Sequence, residues 1–119
     1  LLRKIRISRN GIIIITCTNN KHTHHLINRE NIMKTKKGVK IINVARGPIV
    51  KEDDVVDLLR EEFVSAVGFD VFPTEPLPKE SKLRDFPQNF YGSHNGSNTI
   101  EAVDKTSIIA INKINEYLN

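Results

Sequence analysis

The uninterrupted run Ile12-Ile13-Ile14-Ile15-Thr16-Cys17 constrains this chain more than any other stretch. It is uncharged and mostly β-branched, and such side chains fit a pleated strand better than a helix. It lacks the polar alternation of a half-exposed strand, so it reads as a strand covered on both faces of a parallel sheet. Val39–Val44 is a second, less pure run and Ser65–Val71 a third. Between these two, Val55, Val56, Leu58 and Leu59 recur at helical spacing across Lys51–Glu61. Glu52, Asp53 and Asp54 crowd the start of that helix, where free backbone N–H groups favour negative charge. Asn28–Thr35 reads as a short helix with Asn28 as its N-cap and Lys36-Lys37-Gly38 at its end. Strands alternating with helices imply an α/β fold with a parallel sheet and right-handed crossovers.

Pro73, Pro76 and Pro78 break regular structure, so Phe72–Lys82 is expected to be a loop. A last short strand is expected around Phe90 and Tyr91. Asn98, followed by Glu101, resembles a capping box. It opens a helix whose Ile100, Val103, Ile108, Ile111, Ile114 and Leu118 form one broad apolar face.

Composition narrows the function classes. Of the 119 residues, 39% are apolar and 27% charged, ordinary values for a globular domain that buries a core. The formal charge of +4 is spread from Arg3 to Lys113 and mixed with acids, which argues against nucleic-acid binding. No apolar run approaches the ~20 residues of a membrane span, and no leader pattern opens the sequence, so a soluble cytoplasmic protein is the expectation. Cys17 is the only cysteine, which excludes an internal disulfide and a multi-cysteine zinc site. His22, His24 and His25 on an extended turn are not expected to converge on a metal. The polar stretch ahead of Ile12 and the first residue, Leu1, read as part of something longer.

In open parallel sheets, ligands bind beyond the carboxyl ends of the strands. Those ends carry Thr18-Asn19-Asn20, then Ala45-Arg46-Gly47-Pro48, then Asp70 through Glu75-Pro76, then Gly92-Ser93-His94-Asn95-Gly96-Ser97. Singly, each polar residue has an ordinary structural use as a surface ion pair, a solvated loop acid or a helix cap. Together an Arg, a Glu and a His on one edge suit reduction of a 2-keto acid. A guanidinium holds a carboxylate in a two-pronged fork, and an imidazole passes a proton to the carbonyl oxygen. A carboxylate beside the imidazole favours its protonated form. The small residues around Arg46 are expected to let a ligand approach the backbone.

The segments Thr23-His24-His25-Leu26-Ile27-Asn28, Lys37 through Gly47, Gly68-Phe69-Asp70-Val71-Phe72 with Glu75-Pro76, and Ser93 through Ala102 resemble the D-isomer-specific 2-hydroxyacid dehydrogenases. The closing Gly-Ser-His-Asn-Gly-Ser-Asn-Thr stretch looks most like their phosphoglycerate dehydrogenase branch. The resemblance covers nearly everything from Ile12 onward, in order. It implies the C-terminal half of a dinucleotide-binding domain, a partial Rossmann-like, doubly wound parallel sheet. It also implies NAD as cofactor, with NADP left open, a small 2-hydroxy or 2-keto acid as substrate, and a homodimer at full length. Arg46 would bind the substrate carboxylate, His94 would be the acid/base and Glu75 would pair with His94. Asp70 would sit near the nicotinamide carboxamide. Cys17, Val44 and Ala45 would line the adenosine and nicotinamide-ribose path, with Cys17 a buried strand-end thiol. Gly96 and Ser97 would close the nicotinamide end.

The chain departs from the family pattern in several places. Gly92-Ser93 stands where many members have Thr-Pro, so the histidine's backbone is expected to be less constrained. Glu62-Phe63 occupies a helix end where glycine is common, and a Cβ in a left-handed backbone there costs about 1 kcal/mol. Asn19 and Asn20 replace a more apolar turn. No Gly-x-Gly-x-x-Gly is present, so the pyrophosphate cradle and most of the substrate domain would lie upstream, leaving the Ile12–Cys17 strand as an open edge. The isolated chain is therefore expected to be inactive and to self-associate. The competing reading is a non-catalytic half-domain acting as an interaction or complementation module.

Overall fold

The computed structural model describes residues 11–118. The polar stretch over residues 1–10 lies outside the described residues. The element order is β1 (Ile12–Ile15), α1 (Arg29–Ile32), β2 (Val39–Asn43), α2 (Glu52–Arg60), β3 (Val64–Phe69), β4 (Phe90–Tyr91) and α3 (Ile100–Leu118), with short 3-10 turns at Gly47–Ile49 and Lys82–Asp85. The four strands form one parallel sheet in the order β1-β2-β3-β4. This is the α/β sheet architecture implied by the alternating runs. Asn28 caps α1 as expected, its side chain accepting the Asn31 N–H at 3.0 Å. The acids of α2 occupy its first turn without a side-chain cap at Lys51.

The core forms on one side of the sheet. Ile13 and Ile15 of β1, Val39 and Ile41 of β2, and Val64, Val67 and Phe69 of β3 pack with Ile32 of α1 and Val55, Val56, Leu58 and Leu59 of α2. Among the described residues the expected two-sided cover of β1 is not found. Ile12 is 47% and Ile14 62% exposed, because α1 and α2 both return to the face that Ile13 and Ile15 point into. The strand stops at Ile15, so Cys17 is an exposed loop thiol rather than a buried one.

One further expectation is corrected at α3. Thr99, not Asn98, caps the helix, its hydroxyl accepting the Ala102 N–H at 3.2 Å. The apolar stripe is real in sequence, but α3 buries none of its residues. No helix among the described residues is long and apolar enough to cross a membrane. The suspect helix end behaves as anticipated: Glu62 has φ +54°. The N–H groups of Glu62 and Phe63 close the last turn of α2 onto the carbonyls of Leu59 and Leu58.

Candidate active site

Each residue singled out from the sequence sits just past the carboxyl end of a strand, and backbone ties draw those ends together. After β1 the loop closes on itself, with Thr23 Oγ1 donating to the Thr18 carbonyl at 2.7 Å. It is then stitched to the segment after Arg46: His25 N–H donates to Pro48 O at 2.9 Å and Ile27 N–H to Ile49 O at 3.0 Å. A cleft of about 460 Å³ results, lined by Thr16, Cys17, Asn19, Val44, Ala45 and Arg46.

Arg46 is held through its backbone by a residue the sequence reading passed over. Asn43, the last residue of β2, is completely buried. Its Oδ1 accepts the Ala45 N–H at 3.1 Å and its Nδ2 donates to the Arg46 carbonyl at 3.1 Å. The available signal was a polar residue on the same strand face as buried Val39 and Ile41. The Arg46 guanidinium is exposed and donates to the Ala45 carbonyl at 2.6 Å.

Gly47 does not open the backbone to a ligand, as its small size suggested. Its Cα faces the Phe72 carbonyl and Pro73 nitrogen so closely that a Cβ would overlap both. That approach joins the Arg46 end to the Phe72–Glu75 loop. There the Glu75 carboxylate is divided between two donors. Oε1 accepts the Phe72 N–H at 3.0 Å, and Oε2 lies 2.7 Å from His94 Nδ1. The bond to His94, then that from Phe72, holds the Glu75 carboxyl below the usual carboxylate value, against opposition from burial and from Asp70. With Nδ1 engaged, His94 keeps Nε2 for another partner. A cavity of about 500 Å³ opens beside this pair, lined by Phe72, Glu75, Leu77, Arg84, Tyr91 and His94.

The histidine's backbone is tightly held, contrary to the looseness expected from Gly92-Ser93. His94 has φ +59° and its N–H donates to the Asp70 carbonyl at 2.8 Å. Gly96 and Ser97 follow it in the same exposed turn. The structure thus bonds Glu75 to His94 and brings the Arg46 loop against the Glu75 loop, while the Arg46 guanidinium rests on its own backbone.

The residues fit one end of a dinucleotide. The cleft beside Cys17, Val44, Ala45 and Arg46 is open and edged with hydroxyl, amide and guanidinium groups suited to a ribose and carboxamide. The described glycines, at 11, 38, 47, 68, 92 and 96, have no spacing that builds a pyrophosphate cradle. The His24 and His25 rings stack 3.9 Å apart, and among the described residues no group of three His, Cys, Asp or Glu is placed to hold a metal.

Residues 6–96 match the family model for the NAD-binding domain of D-isomer specific 2-hydroxyacid dehydrogenases. The chain is 36% identical over 104 residues to a glyoxylate reductase of Thermofilum pendens, a match covering 87% of this chain and 31% of that one. It is 42% identical over 91 residues to the D-3-phosphoglycerate dehydrogenase of Bacillus subtilis, covering 76% and 17% of the two chains. It superposes on the crystal structure of a glyoxylate reductase from Paecilomyes thermophila with a TM-score of 0.79 at 28% identity, covering 88% of this chain and 32% of that one. The chain spans about a third or less of the length of these relatives.

Proposed function

This chain belongs to the D-isomer-specific 2-hydroxyacid dehydrogenase family through its NAD-binding domain, and from that premise we propose that it carries the acid/base and carboxylate-binding residues for interconverting a small 2-keto acid and its D-2-hydroxy acid. The observation that carries this reading is the 2.7 Å contact between Glu75 Oε2 and His94 Nδ1 at the strand-end rim. NAD(H), when bound, supplies or accepts the hydride. His94 donates a proton from Nε2 to the substrate oxygen in reduction and takes it back in oxidation. Glu75 holds the ring through Nδ1 so that Nε2 is left for the substrate. Arg46 leaves the Ala45 carbonyl and grips the substrate carboxylate in a fork that a lysine would not reproduce. Cys17, Val44, Ala45 and Asp70 lie along the ribose and nicotinamide path, closed at its far end by Gly96 and Ser97.

The named relatives divide between glyoxylate reductase and phosphoglycerate dehydrogenase. We therefore place the substrate among short 2-keto acids, from glyoxylate to 3-phosphohydroxypyruvate. The bare sheet face and the unburied stripe of α3 support a larger parent: other segments cover them, and the complete protein is a homodimer. Without a glycine loop the 119-residue chain alone does not turn over. The same bare surfaces favour a second reading, a half-domain that only complements another chain, but such a role gives no use to the Glu75–His94 pair.

A chimera tests the proposal. Residues 12–118 replace the matching third of the Thermofilum pendens glyoxylate reductase, and NADH oxidation is followed with glyoxylate, hydroxypyruvate and 3-phosphohydroxypyruvate. Turnover that disappears in His94→Ala is expected. Unchanged turnover in that variant would refute the reading, and robust turnover by the unfused chain would refute only its inactivity in isolation.

A further inference from the structure

The turn that carries His94 has a left-handed residue at its head, φ +59°, a backbone that residues with a Cβ adopt only when something holds them there. One residue supplies that hold. Asp70, just past the end of β3, accepts three successive N–H groups. Its carbonyl takes that of His94 at 2.8 Å, its Oδ1 that of Asn95 at 3.1 Å and its Oδ2 that of Gly96 at 2.8 Å. Burial opposes the charge on Asp70. The N–H groups of Gly96 and Asn95, with neighbouring His94, outweigh that opposition and hold the carboxyl below the usual value.

Two glycines mark the space this carboxylate needs. A Cβ on Gly92 would overlap Asp70 Oδ1 and reach within 3.1 Å of its Cα, and a Cβ on Gly96 would sit 2.9 Å from Oδ2. Neither glycine has a positive φ, unlike Gly11 and Gly38, so backbone conformation does not account for them. Room for the Asp70 carboxylate does.

We infer that Asp70 is a positioning residue for His94, closing the 94–96 turn with its carboxylate so that the imidazole lines up on Glu75, and that Gly92 and Gly96 are glycines because that carboxylate occupies the space beside them. The inference rests on the reading of His94 as the acid/base. Asp70 acts through the turn and needs no contact with substrate. It also makes the 92–93 departure from the family pattern intelligible, since a side chain at position 92 and this placement of Asp70 exclude one another.

The test reads the turn directly, on the 119-residue chain, by amide and imidazole NMR without cofactor. In the wild-type protein the Asn95 and Gly96 amides should shift together through one acid transition whose midpoint lies below the ordinary carboxylate range, while the remote Gly38 amide stays still. In Asp70→Asn and in Gly92→Ala that shared transition should vanish and the His94 Nδ1–H signal should broaden. Amides in the wild-type protein that ignore acid pH would overturn the inference whether or not the variants fold, as would an unchanged turn and imidazole in Asp70→Asn. In the chimera, Asp70→Asn should lower kcat roughly 10- to 100-fold with the KM for the 2-keto acid nearly unchanged, since Arg46 is untouched. A KM effect alone would contradict a positioning role. If the amide transition holds while the wild-type chimera is inactive, the dehydrogenase reading fails and the clamp on the turn stands.

Discussion

The two edges of the rim are finished to different degrees. At His94, backbone and side chain are both pinned: Glu75 takes Nδ1, Phe72 holds Glu75 and Asp70 holds the turn. At Arg46 only the backbone is pinned, by Asn43, while the exposed guanidinium folds onto the Ala45 carbonyl. The difference teaches that the edge proposed for proton transfer has its side-chain and backbone supports within about a third of the relatives' length. The edge proposed to bind the carboxylate has a backbone anchor only. The close approach of Gly47 to Phe72 and Pro73 is the joint between them.

The sharpest way to break this comparison is to remove each functional side chain in the active chimera. His94→Asn should lower kcat about 10²- to 10⁴-fold with little change in KM, as expected for loss of a general acid. Arg46→Lys should act mainly on KM, because charge survives and the two-pronged geometry does not. Equal effects of both on KM would mean that His94 only binds. The joint itself comes next. Gly47→Ala drives a methyl into main-chain atoms that have no flexible end to yield, and should cost about 3 kcal/mol in denaturant unfolding. Gly68→Ala, whose Cβ meets only the Ile42 side chain at 3.9 Å, is the control and should cost under about 1 kcal/mol, the ordinary loss from a substitution away from special features.

Smaller effects sharpen the contrast. Asn43→Ala leaves the Ala45 N–H and Arg46 carbonyl without their partner and should cost about 1–3 kcal/mol. Its effect in the chimera should fall on Arg46-dependent KM rather than on the pH profile. Glu62 and His94 share a left-handed backbone, φ +54° and +59°, but no ligand chemistry depends on Glu62. Glu62→Gly should therefore stabilise the fold by about 1 kcal/mol.

The smallest effect is a dependence on pH. A carboxyl held below its unfolded value, as Glu75 is, adds stability above that unfolded value and loses it as pH falls through the folded one. Glu75→Gln should flatten this acid-side loss and leave stability near neutrality dependent on other groups. An acid limb identical to the wild type would remove Glu75 from the account.

Much of this was legible in the sequence, and the gaps have physical causes. Strands, α2 and the Asn28 cap follow from local shape and charge, which tertiary structure did not override. The pairing of Glu75 with His94 was expected from resemblance, and the structure places the two in contact. The cover of β1 was misread because uninterrupted isoleucines say that a strand tolerates burial on both faces, not which segments do the burying. The cap of α3 was displaced by one residue because Asn98 and Thr99 are both competent caps, and only the path of the preceding turn chooses between them. Gly47 and the Asp70 clamp were hidden for a shared reason: each matters through a close approach between strand ends distant in sequence. Asn43 instead bonds its near neighbours Ala45 and Arg46, and was marked only by its place on the buried face of β2.

The most direct test is a crystal structure of the chimera with NADH and oxamate, a 2-keto acid mimic that hydride does not reduce. The account predicts the oxamate carboxylate in a fork from Arg46, now released from Ala45, with its carbonyl oxygen on His94 Nε2 and Glu75 still on Nδ1. Oxamate bound away from His94, or Arg46 still resting on the Ala45 carbonyl with the ligand in place, would contradict it.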